Sequence, residues 1–288
     1  MVISAIDIGS NSVRLATFAD GKTLYKVLTT TRLGEGLSFS GKLSPVAIER
    51  SAKAVSDYVQ KAITDGAQKI YAFATAAVRG AQNGKKFLTR VKSLCGIDVE
   101  VLSGETEAKI AILGAVGNRD GGIIDLGGAS TEVTVQQGGK TLYAKSVDIG
   151  AVRLYDLAGR DKQKLISVIL PKLEEYGNFT AENFEMCGVS GTATTLAALK
   201  LGLKVYDPEK IQGSTLTLSE VENLADLLLA TPIEKICDML TVDSRRADII
   251  AGGATLLAML MKKLKIDKIT VSDSDNLEGY VILKEGKL

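Results

Sequence analysis

A chain of 288 residues allows one large domain or two ordinary ones, and an apolar share of 45% beside a charged share of 24% suits a globular protein with a sizeable core. The net charge of +1 excludes a global field that would gather a nucleic-acid polymer or an anionic membrane surface, so any anion site must be a local cluster of donors. The absence of histidine excludes His-based triads and imidazole metal ligands; a metal here takes carboxylate, hydroxyl and water oxygens, which suits Mg²⁺ or Mn²⁺.

The pattern along the chain predicts strands over 2–8, 12–18 and 23–31, the last two joined by an Asp20-Gly21 turn. Ser44 followed by Pro45 starts a helix, with Val46, Ile48, Ala52, Val55 and Val59 as its apolar stripe. A strand over 69–75, a helix over 85–94, a strand over 99–102 and a helix capped by Ser103 and running to about 116 complete a βββαβαβα series. A second half opens with a strand over 121–125 and repeats three strands through about 149. A helix over 161–176 with Pro171 as a kink, a strand over 184–188 and a helix over 191–199 follow. Ser219 and Glu222 read as a capping box, Asp243 as the cap of a long helix through 263, 269–271 as a last strand and 276–281 as the opening of the terminal segment. The expected fold class is α/β, as two related domains over 1–117 and 118–288. Cys95, Cys187 and Cys237 are odd in number and far apart, which argues against a disulfide framework and for a cytoplasmic setting. The first residues lack a signal peptide's basic region, and no apolar run reaches the roughly 18 residues of a membrane span, so no membrane partner is expected.

The most informative feature is a repeat. Asp7-Ile8-Gly9-Ser10-Asn11-Ser12 aligns with Asp125-Leu126-Gly127-Gly128-Ala129-Ser130, and Lys22-Thr23-Leu24-Tyr25 aligns with Lys140-Thr141-Leu142-Tyr143, at one constant offset of 118 residues. Each copy places a carboxylate at a strand end before a Gly/Ser turn. Gly9 lets amide groups approach an anion, Ser10, Asn11 and Ser12 add short donors, and Arg14 could reach the cleft as a further phosphate-binding candidate; Asp7 is a candidate for Mg²⁺ or its water. In the second copy Gly127, Gly128, Ala129, Ser130 and Thr131 are the phosphate-binding candidates, and Asp125 and Glu132 the metal candidates on the two arms. A third Gly-rich turn, with Gly191, opens a helix and so offers amides to an anion. Arg79 leaves a strand end and is a candidate anion clamp. Glu105 and Glu107 sit in a first helical turn on different faces, where acidic residues complement the helix dipole.

Together these segments resemble the Ppx/GppA family of exopolyphosphatases and guanosine pentaphosphate phosphohydrolases, within the actin, hexokinase and heat-shock ATPase-like superfamily. The resemblance runs through DIGSNSVRL at 7–15, RLGEGL at 32–37, SGETEA at 103–108, DLGGASTEV at 125–133, GAVRL at 150–154, GTATTLAAL at 191–199 and RADIIAGGATLLAML at 246–260. It implies two ribonuclease-H-like domains with an interdomain cleft and a Mg²⁺-dependent hydrolase that releases terminal phosphate. It also implies that Glu107 activates water, that Asp125 and Glu132 hold the metal, and that Arg79 and the two Gly/Ser loops grip the phosphate chain. The implied partner is polyphosphate or a guanosine nucleotide; the sequence leaves a homodimer open. Ala129 stands where a third glycine is usual and is expected to narrow the second loop's backbone, and Ser190 stands where glycine is frequent. A kinase of the same superfamily and a non-catalytic sensor of nucleotide or polyphosphate are the alternative readings. The first lacks a visible acceptor motif, and the second is motivated by Ala129 and by SDSDNLEG at 272–279, which lacks the basic residues often found there.

Overall fold

The computed structural model describes residues 1–240 and 244–287, so the cap expected at Asp243 lies outside the described residues. The chain divides into two compact units, Met1–Gly114 with Asn276–Leu288, and Ala115–Asp275.

The first unit is built on β1 (Val2–Ile8), β2 (Ser12–Ala19), β3 (Lys22–Thr30), β4 (Lys69–Ala74) and β5 (Glu100–Val101), in the sheet order β3-β2-β1-β4-β5. The first three strands form an antiparallel meander, and β4 and β5 add in parallel to β1. Asp20 and Gly21 both have positive φ, 52° and 80°, as a two-residue hairpin turn requires. Helices α1 (Leu37–Ser40), α2 (Pro45–Thr64), α3 (Ala76–Gly80), α4 (Gly84–Cys95) and α5 (Gly104–Ala115) connect and cover the strands. Ser44 caps α2 by accepting from the Ala47 amide, with Pro45 in the first turn. Ile48, Ala52, Val55 and Val59 are buried as the apolar spacing implies, but Val46 is 70% exposed. It lies two residues from Ile48, about 200° around the helix and so on the opposite face, while Ala47 and Ile48 in the same turn are buried.

The second unit repeats the plan. Strands β6 (Gly121–Leu126), β7 (Thr131–Gln137) and β8 (Lys140–Val147) form its meander. Helices α6 (Ala151–Ala158) and α7 (Lys162–Leu173) follow, and a 3₁₀ turn over Glu174–Tyr176 ends the helical stretch that contains Pro171. Then come β9 (Met186–Val189), α8 (Ser190–Lys200), α9 (Pro208–Ile211), β10 (Thr215–Thr217), α10 (Leu218–Ala230), α11 (Ile233–Met239), α12 (Ile250–Lys263) and β11 (Lys268–Val271). The sheet order is β10-β11-β9-β6-β7-β8, which is the first unit's order with one antiparallel edge strand added. The repeat holds to fine detail. Gly138 and Gly139 have φ of 58° and 73° where Asp20 and Gly21 stand in the first copy. The register shift at Val135/Gln136 likewise matches that at Thr17/Phe18. The capping box falls on Thr217 and Glu220 rather than Ser219 and Glu222, because β10 ends at Thr217 and fixes where α10 can start.

The final helix, α13 (Asn276–Glu285), corrects the expected division. It belongs to the first unit, not to a continuous 118–288 domain, and the other crossing lies at Gly114/Ala115. Leu277, Tyr280 and Val281 are buried with Ile3, Phe18, Phe73 and Ile110, and the Tyr280 ring stacks on Phe73 at a centroid distance of 4.5 Å. Polar contacts border this apolar seat. Lys26 pairs with Glu278 at 2.8 Å, Lys284 with Glu100 at 2.7 Å and Lys69 with Glu285 at 2.8 Å. The hydrogen bonds from Lys284 and then Tyr280 hold the Glu100 carboxyl below its ordinary value of 4.5, and those from Lys69 and Tyr71 do the same for Glu285. Since both folded values lie below the unfolded ones, the stabilisation is complete above the unfolded value and is lost as pH falls through the folded values. The thermal midpoint should therefore drop on acidification below about pH 4.5. A Glu100→Gln/Glu285→Gln double variant should show a shallower drop; an unchanged slope would refute the contribution.

No helix among the described residues is long and apolar enough to cross a membrane.

Candidate active site

In the first unit, β1, β4 and β5 run parallel, so the segments leaving them emerge at one edge of the sheet, where open α/β sheets bind ligands. The first is the β1–β2 turn. The Gly9 amide donates to the Ser12 carbonyl at 3.0 Å. The Ser10 carbonyl accepts from Gly34, and the Asn11 carbonyl from Thr31 and Arg32, at 2.8–2.9 Å. The turn's carbonyls are thus held from behind by the chain that follows β3. Ser10, Asn11 and Ser12 are buried, and the Asn11 side-chain oxygen has no hydrogen-bond partner. An orphaned buried polar atom costs about 1–3 kcal/mol, which a bound ligand or water would recover. Asp7 and Arg14 are directly opposed across the strands, and both the Nε and Nη2 groups of Arg14 donate to one Asp7 oxygen. Two expectations, Asp7 as a metal ligand and Arg14 as a phosphate contact, therefore converge on one ion pair.

The second and third segments carry Arg79 and Glu107. Helix α3 starts right after β4 and places Arg79 in its last turn. The Ser103 hydroxyl accepts from the Thr106 amide and caps α5, which puts Glu105 outside and Glu107 inside at 5% exposure. Arg79 Nη1 donates to Glu107 Oε2 and to the Leu102 carbonyl, both at 2.8 Å. The carboxylate is thus aimed by a fixed guanidinium that is itself part-exposed, with donors left over for an anion.

In the second unit the β6–β7 turn repeats the first. The Gly127 amide donates to the Ser130 carbonyl at 3.1 Å. The Gly128 carbonyl accepts from Val152 at 2.9 Å, the counterpart of Gly34 on Ser10 at the same 118-residue offset. A Cβ on Gly150 would lie 2.6 Å from the Gly128 carbonyl, so this close approach requires glycine. Arg153 Nε holds the Ala129 carbonyl at 2.9 Å. Ala129 does not have positive φ, so alanine fits the loop without strain. Thr131 departs from expectation as a phosphate contact. It is fully buried and its hydroxyl donates to the Ile149 carbonyl at 2.6 Å, so its proton serves the fold.

Asp125 and Glu132 are directly opposed on β6 and β7, at 3% and 2% exposure. Ser190 Oγ donates to Asp125 Oδ1 at 2.5 Å, and Ser146 Oγ to Glu132 Oε1 at 2.6 Å. Among the described residues no cluster of three acidic, Cys or His side chains occurs. Two oriented carboxylates could still hold Mg²⁺, an ion often bound by one or two carboxylates with water and phosphate oxygens as its other ligands. Gly191 follows at the start of α8. A Cβ there would fall 1.6 Å from Nη1 of Arg246, whose side chain is buried against the helix start. Arg246 was not singled out by sequence reasoning. The available signal is that Arg245-Arg246 is the chain's one Arg-Arg pair and leads into an apolar run.

Comparison with known proteins extends this geometry. The model of the Ppx/GppA phosphatase family matches residues 16–287. A bifunctional 3-dehydroquinate synthase/phosphatase of Fusobacterium nucleatum is 31% identical over 97% of this chain, which spans 46% of that protein's length. Exopolyphosphatase 2 of Mycobacterium tuberculosis is 28% identical, covering 99% of this chain and 98% of its own. A guanosine-5'-triphosphate,3'-diphosphate pyrophosphatase of Photobacterium profundum is 28% identical over 96% of this chain and 58% of its own length. Among solved structures, the Aquifex aeolicus Ppx/GppA family member superposes with a TM-score of 0.79 at 30% identity, over 100% of this chain and 99% of that one.

Proposed function

This chain belongs to the Ppx/GppA phosphatase family, and on that basis we propose that it hydrolyses the terminal phosphoanhydride of inorganic polyphosphate or of guanosine pentaphosphate with Mg²⁺. The observation that carries the reading is Glu107. It is a buried carboxylate aimed by Arg79, at the same sheet edge as the Gly9–Ser12 turn. Glu107 accepts a proton from the attacking water, which adds to the terminal phosphorus as the bridging P–O bond breaks. Arg79 keeps donors for the phosphate oxygens, and the turn amides and short hydroxyls at Gly9–Ser12 of the same unit supply more. In the second unit the Gly127–Ser130 turn offers the same kind of donors, and Asp125 and Glu132 would hold Mg²⁺, an ion that would neutralise charge on phosphate oxygens. Ala129 no longer argues for a non-catalytic sensor, since its backbone is unstrained. The test is phosphate release by the purified chain from short and long polyphosphate, guanosine pentaphosphate and ATP, with and without Mg²⁺. Metal-dependent release from polyphosphate or guanosine pentaphosphate is expected. No release from any of them would refute the reading, and ATP turnover that needs an added alcohol or acid would favour a kinase.

A further inference from the structure

Ser190 stands in a backbone setting that disfavours a side chain. Its φ is +65°, in the left-handed region. Three other described residues besides glycines share positive φ. Asp20 sits in a hairpin turn, Lys265 follows the end of α12, and Arg32 follows the β3 meander strand. Ser190 instead begins an 11-residue helix directly after a central parallel strand. Glycine would take this conformation without strain. What the serine adds is its hydroxyl, and that hydroxyl donates to Asp125 Oδ1 at 2.5 Å.

The topology explains the meeting. β6 and β9 are parallel neighbours, and Asp125 is registered against Val189, so the next residue on β9's exit lies beside the Asp125 side chain. On the other arm, Ser146 from β8 is registered against Glu132 and donates to it. Each of the two opposed carboxylates thus has one oxygen anchored by a serine, Ser190 just past β9 for Asp125 and Ser146 on β8 for Glu132.

We propose that Ser190 is a positioning residue for divalent-metal binding: its hydroxyl fixes the Asp125 carboxylate in the orientation a hard cation needs. This rests on the reading of Asp125 and Glu132 as the metal-holding pair. Outer groups that orient metal ligands typically carry 10–100-fold in metal affinity. The competing view is that the bond only ties β9 to β6. The two views differ in what Ser190→Gly does, because glycine relieves the backbone strain while deleting the hydroxyl.

The experiment is Mn²⁺ titration of the full chain, read as free Mn²⁺ by electron paramagnetic resonance, for wild type, Ser190→Gly, Ser190→Ala and Asp125→Asn. Thermal midpoints are measured on the same samples. The expected result is Mn²⁺ binding weakened roughly 10–100-fold in both Ser190 variants and abolished in Asp125→Asn. The Ser190→Gly midpoint should lie above that of Ser190→Ala. Mn²⁺ affinity within about twofold of wild type in both Ser190 variants would overturn the proposal, as would a wild type that binds no Mn²⁺. Phosphate release is scored separately. Weakened Mn²⁺ binding in the variants with no release from any substrate would uphold Ser190's role and refute the hydrolase reading.

Discussion

Replacing Glu107 with Gln lowers the rate of phosphate release by roughly 10²–10⁴, the range for loss of a general base. Gln keeps the size of the side chain and an oxygen that can accept from Arg79, so the effect isolates the loss of a proton acceptor. The substitution leaves the α5 cap intact, since that cap is made by Ser103 and Thr106. The fall should therefore appear in kcat, with KM for polyphosphate changed little and the thermal midpoint close to wild type. A kcat within about threefold of wild type would remove Glu107 from the chemistry. A large rise in KM with kcat preserved would make it a binding residue instead.

The second large effect concerns stability. Gly279 lies where α13 passes over α5, and an added Cβ would sit 1.7 Å from the Ile110 carbonyl oxygen and 3.0 Å from the Gly114 amide. These are backbone atoms within a helix, so no side chain can swing away to make room. Gly279→Ala must push the two helices apart and open the packing of Tyr280 on Phe73. Overpacking of this kind costs about 3 kcal/mol or more, which lowers the thermal midpoint by roughly 6–12 °C. Calorimetry of Gly279→Ala beside Gly252→Ala provides the contrast. A Cβ on Gly252 makes ordinary contact with Leu165 at 3.4 Å, so that change should stay within about 1 kcal/mol. Equal midpoints for the two variants would show that the α5–α13 approach is not tight.

How much of this was legible follows from the physics of each feature. The paired turns were visible because a short polar run between strands fixes a local backbone, and local backbone is what sequence specifies most directly. Asp125 and Glu132 fell opposite each other because hairpin register follows from turn length. That Glu105 and Glu107 face different ways follows from helical spacing, but which of them is buried depends on packing that the spacing does not report. Contacts made at long range were not legible. Nothing local distinguishes Thr131 from Ser130, yet only Thr131 meets the Ile149 carbonyl. Arg246 reaches Gly191 across 55 residues of chain (191 to 246), a distance no periodicity reports. The seat of α13 depends on Gly279 meeting Ile110, which no pattern within 276–285 announces. The missed capping box was off by two residues because the small edge strand β10 set where the helix begins.

The return of α13 to the first unit has a consequence for biogenesis. The second unit is an uninterrupted segment, Ala115–Asp275, inserted within the first. During synthesis all of it leaves the ribosome before α13 does. The usual order, in which the N-terminal domain matures first, is therefore inverted here. The nascent first unit waits with Phe73 and Ile110 uncovered while its neighbour becomes complete, and in that interval this apolar face is what a chaperone would meet.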